Sequence, residues 1–202
     1  MDLSLLPEEE ELVRSFAELL GRGSSPAQVR AAESLGFDPA LWSALVGVGV
    51  PAMAAGPDAA NLLQLCLVAE QAGRHLASAP VVESFVAARA LDRCGATDLL
   101  AAVEAGTVAT LVLRATRGEV APLVPAGAVA GIVLAFDGTD LAAVVADGPG
   151  TAVPNLGSQP LADRDLTAGR RAALARQGSA RQGSAGWPRP RPRSRAESSQ
   201  RA

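Results

Sequence analysis

The segment from Asn61 to Leu76, NLLQLCLVAEQAGRHL, repeats apolar or small residues at alternating steps of four and three. This spacing places the repeated residues along one face of an α-helix. They are called the apolar stripe below and consist of Leu62, Cys66, Ala69, Gly73 and Leu76. Leu65 and Val68 widen the stripe, whereas Gln71 and His75 fall mostly on the opposite side. Because other helices must cover so wide an apolar face, the pattern predicts that this helix lies at the centre of a helical core.

Other helical patterns surround this segment. Pro7 begins a first helix with Pro at its first position, and glycines end that helix. Asp38 is a good N-cap for a second long helix, because Pro39 follows it and Phe37 can pack onto Trp42. Further helices are predicted after Pro80 and from Thr97 onward, and Asp58 is predicted to cap the helix that carries the stripe. The chain up to residue 106 therefore reads as helices joined by short loops.

The hydrophobic periodicity of the sequence changes after residue 106. Short runs rich in β-branched residues follow at spacings that are typical of strands. The runs are Thr107–Leu113, Val120–Val124, Gly131–Phe136 and Leu141–Ala146, with a further one near Leu161–Leu166. Asp137-Gly138 is a turn signal between two of them. Helices followed by strands predict the α+β class, with a helical domain over 1–106 and a small antiparallel β-domain over 107–168.

The C-terminal part, 169–202, differs in composition from the rest. It contains nine Arg and one Glu, a net charge of +8, whereas 1–168 carries −11. Gly169–Ala175 reads as the start of an Ala/Arg-rich helix, after which RQGSA occurs twice and Pro alternates with Arg. Such a sequence can neither continue a helix nor build a core, so Gln177–Ala202 is predicted to be disordered and 169–202 to form a basic tail.

The composition also indicates the cellular environment of the chain. Cys66 and Cys94 lie in helical patterns and are predicted to be free, buried thiols in a reducing compartment. The acidic N-terminus is neither a signal nor a transit peptide. Residues 39–57 carry no charge, but Pro51 and three glycines make them a poor membrane span. We therefore expect a soluble, cytoplasmic protein that does not enter a membrane.

The sequence offers no catalytic residue and no metal site. His75 is the only histidine and has no nucleophile or acid at a suggestive spacing, so it is interpreted as structural. Neither a dinucleotide-binding glycine motif nor a P-loop occurs. Glu70 is expected to pair with Arg74 one helical turn later rather than to act in catalysis. The four glutamates that follow Pro7 are expected to be a solvated helix start.

Two segments together resemble the N-terminal region of the acyl-CoA dehydrogenases. ESLGFDPALWSALVGVGVPAM spans Glu33–Met53, and LLQLCLVAEQAGRHLASAP spans Leu62–Pro80. The shared pieces are a G-F-D-x-x-L-W helix, a G-V-P turn and an E-x-x-G-R helix followed by a Pro-containing link. Later, PLADRDLT at Pro160–Thr167 resembles the last β-domain strand of that family. The resemblance is best over the first 113 residues.

The resemblance implies a helical domain, a middle β-domain and a C-terminal helical bundle. It also implies FAD as cofactor and an acyl-CoA thioester as substrate, from which a glutamate removes the α-proton while the flavin accepts a hydride. Leu62, Cys66 and Ala69 would line the acyl slot. Cofactor-binding residues are not assigned, because Arg114–Glu119 keeps neither the Ser nor the Asp of the family's flavin-contacting segment.

The C-terminal bundle, which supplies the catalytic glutamate in the family, has no counterpart after residue 168. We therefore expect a truncated or frameshifted relative that is inactive alone. Two alternatives remain open: a non-catalytic subunit that packs against a full-length dehydrogenase, and a basic-tailed protein that binds polyanions without sequence specificity. A homo-oligomer is also compatible with the sequence.

Overall fold

The computed structural model describes residues 4–116 and 118–174. The predicted disorder of Gln177–Ala202 lies outside these residues, as does most of the predicted basic tail. No helix in the described ranges combines the length and apolar character that crossing a bilayer requires.

Helices occupy the first half of the described chain. They are α1 (Pro7–Gly23), α2 (Pro26–Ala32), α3 (Pro39–Gly47), α4 (Leu62–Arg74), α5 (Val81–Arg93) and α6 (Thr97–Glu104), with a short 3-10 helix at Val50–Ala52. Asp38 caps α3 as predicted, since its carboxylate accepts from the backbone N–H groups of Ala40 and Leu41. The cap of α4 differs from the prediction: Asn61, not Asp58, accepts from the Gln64 N–H, and the Gln64 side chain returns a bond to the Asn61 backbone.

Strands occupy the second half. They are β1 (Ala109–Leu111), β2 (Val120–Val124), β3 (Ile132–Phe136), β4 (Leu141–Ala146), β5 (Thr151–Ala152), β6 (Ala162–Asp165) and β7 (Gly169–Leu174). One sheet has the order β1-β3-β4-β7 and the other the order β2-β6-β5. The Asp137 carboxylate accepts from the N–H groups of Thr139 and Asp140, which fixes the predicted turn between β3 and β4. The predicted α+β class is confirmed.

The sheets differ from the sequence prediction in two respects. First, β1 pairs with β3 in parallel, with Ala109 opposite Ile132, because the intervening β2 joins the other sheet. Second, residues 169–174 form neither a helix start nor part of a tail. They form β7, which pairs along the whole of β4 from Leu141↔Leu174 to Ala146↔Gly169. The Ala/Arg composition favours a helix locally, and the long ladder to β4 overrides that preference.

A single hydrophobic cluster runs through both halves. It contains Leu45 of α3 and Leu91 of α5 together with Ile132 of β3 and Val144 of β4. The indole N–H of Trp42 donates to the backbone oxygen of Gly106 at 2.7 Å, at the point where the helices give way to strands. The two predicted domains therefore share one core in the described chain.

Candidate functional site

The apolar stripe faces solvent instead of the core. Leu62 is 68% exposed and Leu76 is 69% exposed, and Cys66 and Gly73 are also exposed. The buried residues of α4 are Leu65, Leu67, Val68 and Gln71. The prediction that other helices cover this face is confirmed for Leu65 and Val68, which widen the stripe and are buried. It is wrong for Leu62, Cys66 and Gly73, which are exposed. Leu65, Leu67 and Val68 bury more apolar area than the cysteine, alanine and glycine in the middle of the stripe would. The buried side of α4 is therefore centred on Val68 and Gln71.

The exposed apolar surface continues onto α5. Val82 and Val86 stand one helical turn apart, and they are 51% and 43% exposed. Val82 of α5 and Leu76, which follows the end of α4, line the same groove. We call the stripe together with Val82 and Val86 the exposed apolar face. Several exposed apolar residues on neighbouring elements are typical of a binding or assembly site.

The groove beside this face has a volume of about 640 Å³. Its walls come from α2, from the C-terminal part of α4 and the link after it, from the first turn of α5, and from the segment 157–160 before β6. Gly36 allows the segment 157–160 to come close. The φ of Gly36 is +70°, and a Cβ at this position would lie 1.9 Å from the backbone oxygen of Ser158. Of the acyl-lining residues predicted from the resemblance, Ala69 lines the groove. Leu62 and Cys66 lie on the same helix and are exposed, but they do not line it.

The lining of the groove is only slightly more apolar than polar, and it carries few charged groups. Arg30 of α2 and Glu33, which directly follows α2, are exposed at its edge, whereas Glu83 of α5 is half-buried in its wall. Burial raises the pKa of the Glu83 carboxyl above its ordinary value, and the hydrogen bond from its own backbone N–H opposes this only in part. Within the described ranges the salt bridges are Glu11–Arg14 and Glu70–Arg74, so Glu83 has no ionic partner there. Sequence reasoning missed Glu83, because an acid in the first turn of a helix is an ordinary helix-start signal.

A second, smaller cavity of about 300 Å³ lies on the β-sheet half. Its lining residues are Thr116, Gly118, Ala135, Asp137, Thr139, Leu166 and Arg171. This cavity includes part of the segment where the resemblance places the flavin contacts, and its hydroxyl and guanidinium groups could bind a phosphate or a ring oxygen. Its volume is at the lower limit for small-molecule sites, roughly 300–1,000 Å³, and it offers no aromatic side chain for a flavin ring. This cavity is therefore too small for a whole FAD molecule.

The remaining sequence candidates occupy structural positions. Glu70 pairs with Arg74 at 2.6 Å on the exposed side of α4, as expected. Cys66 and Cys94 are free thiols, but Cys66 is exposed and Cys94 is half-buried, so the prediction that both are buried is wrong. Glu9 is buried rather than solvated, because its carboxylate accepts from the Leu6 backbone N–H at 2.9 Å. In the described ranges, no group of three or more His, Cys, Asp or Glu residues could hold a metal ion.

Solved structures resemble this arrangement closely. A variant of the Tcur3481-Tcur3483 steroid ACAD, an acyl-CoA dehydrogenase, superposes with a TM-score of 0.68 at 27% identity, covering 83% of this chain and 56% of the other. The ChsE4-ChsE5 complex from Mycobacterium tuberculosis superposes with a TM-score of 0.68 at 25% identity, covering 87% of this chain and 58% of the other. No protein-family model and no curated protein matches the sequence.

These likenesses, together with the helices-then-strands order, show that the chain has an acyl-CoA dehydrogenase-family fold over most of its length. The chain spans a little under three fifths of the solved chains that it matches.

Proposed function

We propose that this chain supplies the helical and β-sheet part of an acyl-CoA dehydrogenase and becomes active only when a further helical segment covers its exposed apolar face. The observation that carries the proposal is the outward orientation of the stripe on a dehydrogenase-type fold. Leu62, in the first turn of α4, and Leu76, two residues after the end of α4, are both more than two thirds exposed, although α4 packs against α1 and α5. Covering such residues removes apolar area from water, at roughly 25 cal/mol per Å².

Two further parts of the proposal rest on the similar structures. One of them is a steroid ACAD and the other is a complex of two named components. We therefore propose an acyl-CoA thioester with a steroid-type acyl group as substrate and a second dehydrogenase chain as partner. FAD would be held jointly, because the cavity on the β-sheet half is too small for the whole cofactor. A cytoplasmic location belongs to the same proposal.

The test compares the chain alone with the chain co-expressed with a full-length dehydrogenase of the steroid type. We expect the chain alone to purify without flavin absorbance and without dehydrogenation of a steroid acyl-CoA. The co-expressed chains should copurify, carry flavin and reduce an artificial electron acceptor. The double variant Leu62→Arg, Leu76→Arg should lose the association, because two charges would then lie in the covered face.

Leu6→Arg is the matched control, since Leu6 is 56% exposed but lies outside the exposed apolar face. Two results would contradict the proposal. One is a chain that is yellow and active by itself. The other is a double variant that assembles as well as the wild type.

A further inference from the structure

The groove between the helical and β-sheet halves has the character of a small-molecule site. Its volume of about 640 Å³ lies within the usual range for ligand pockets, roughly 300–1,000 Å³. The walls from α4 and its following link consist of small or apolar residues, among them Ala72, Gly73 and Ala77. Small side chains leave a wide opening, which suits a rigid, bulky ligand better than a thin, extended chain.

Glu83 lies half-buried in the wall of this groove, and among the described residues only its own backbone N–H donates to its carboxylate. The groove-lining parts of α4 and of the segment 157–160 contain no titratable side chain. The other charged groups that line the groove, Arg30 of α2 and the following Glu33, are opposite in sign and exposed. A carboxyl group that has lost much of its hydration gains most from a ligand that donates a hydrogen bond to it.

We infer that this groove binds a rigid, lipophilic molecule of steroid size and that Glu83 recognises a hydroxyl group on it. The apolar walls bind the body of the ligand, and the Glu83 carboxylate accepts the hydrogen bond from the hydroxyl. Glu83 is thus a specificity-determining residue, and the steroid class of the ligand rests on the proposed function.

The protonation state of Glu83 should make this recognition depend on pH. Burial raises the pKa of the carboxyl, so its proton is retained to a higher pH than in an exposed glutamate. Above that pKa the carboxylate accepts from an alcohol. Below it, the carboxylic acid can also donate to a ketone. The preference of the groove for an alcohol over the matching ketone should therefore rise as the pH rises through the pKa of Glu83.

The experiment measures the binding of three matched probes to the whole chain by equilibrium dialysis, without flavin or partner. The probes are androstane, the corresponding ring-A alcohol and the corresponding ring-A ketone. We expect the alcohol to bind at least about tenfold more tightly than the hydrocarbon at neutral pH, the effect of one hydrogen bond to a charged group. The Glu83→Gln variant should bind the alcohol and the ketone with a ratio that no longer depends on pH.

Glu33→Gln is the matched control, because it removes an acid of the same type from the exposed edge of the same groove. It should leave the wild-type preference and its pH dependence unchanged. Glu83→Asp keeps the charge but shortens the side chain, so it should weaken the preference while keeping the pH dependence. The pH dependence of the wild-type chain tests the inference even if a variant fails to fold.

Several results would overturn the inference. They are equal binding of all three probes, no binding of any of them, and a pH dependence that survives in Glu83→Gln. These results are separate from a failure of the proposed function. A chain that is active alone but shows the Glu83-dependent preference refutes only the proposed function. A chain that assembles as proposed but binds no steroid refutes only this inference.

Discussion

Two leucines on the same helix test the orientation of α4 directly. Leu65 is 6% exposed and Leu62 is 68% exposed, although they are three residues apart. Leu65→Ala removes buried side-chain atoms and leaves a cavity, so we expect it to lower the free energy of unfolding by about 2–5 kcal/mol. Leu62→Ala removes atoms that are already in water, so we expect a change within about 0.5 kcal/mol.

The assay is urea unfolding followed by circular dichroism, with a thermal scan as a second measurement. For a chain of this size, 1 kcal/mol corresponds to roughly 2–4 °C in the melting temperature, so Leu65→Ala should lower it by roughly 4–20 °C. The slope of the urea transition should stay the same in both variants, since neither exposes a new segment. If Leu62→Ala destabilises the chain as much as Leu65→Ala, the stripe is covered in solution and the reasoning about the exposed apolar face fails.

Three further predictions address single contacts. Trp42→Phe removes a buried N–H donor and should cost about 1–3 kcal/mol in urea unfolding; an unchanged midpoint would show that this bond does not join the two halves. Asn61→Ala should lower the free energy of unfolding by about 0.5–2 kcal/mol, because the helix cap is lost. Asp58→Ala should change it by no more than about 0.5 kcal/mol. A larger effect of Asp58→Ala than of Asn61→Ala would show that Asp58 caps α4 after all. Iodoacetamide should label the exposed Cys66 before Cys94. Partial burial shields the Cys94 thiol and raises its pKa, which lowers the fraction of reactive thiolate. Mass spectrometry of Cys66→Ser and Cys94→Ser measures each thiol separately, and faster labelling of Cys94 would contradict the prediction.

The order and type of most elements could be predicted from the sequence, because hydrophobic periodicity and the Gly, Pro and capping residues at element ends are local signals. β2 and β4 occur at the predicted residues, and Asp38 caps α3 where its sequence pattern predicts. The parallel pairing of β1 with β3 could not be predicted in this way, because it depends on which sheet β2 joins. β7 was missed for a related reason: its alanines and arginines favour a helix, and only the ladder to β4 makes them a strand.

The site was predictable only in part. Ala69, which the resemblance places in the acyl slot, does line the groove. Leu62, Cys66 and Gly73 of the stripe are exposed, although their spacing is as regular as that of a buried face. The buried arc around Leu65 and Val68 is less regular but has larger side chains. Glu83 could not be singled out, since its place in the groove depends on residues that are distant in the sequence, among them 157–160.

The close approach of Gly36 to Ser158 also governs how the groove comes into existence. These two positions are more than a hundred residues apart in the chain, so one wall of the groove exists only after a long loop has closed. The groove is therefore absent from any partly folded state in which the helices alone have formed. A molecule that binds there binds only the closed chain, so it stabilises the junction of the two halves by mass action and raises the unfolding free energy of the whole protein.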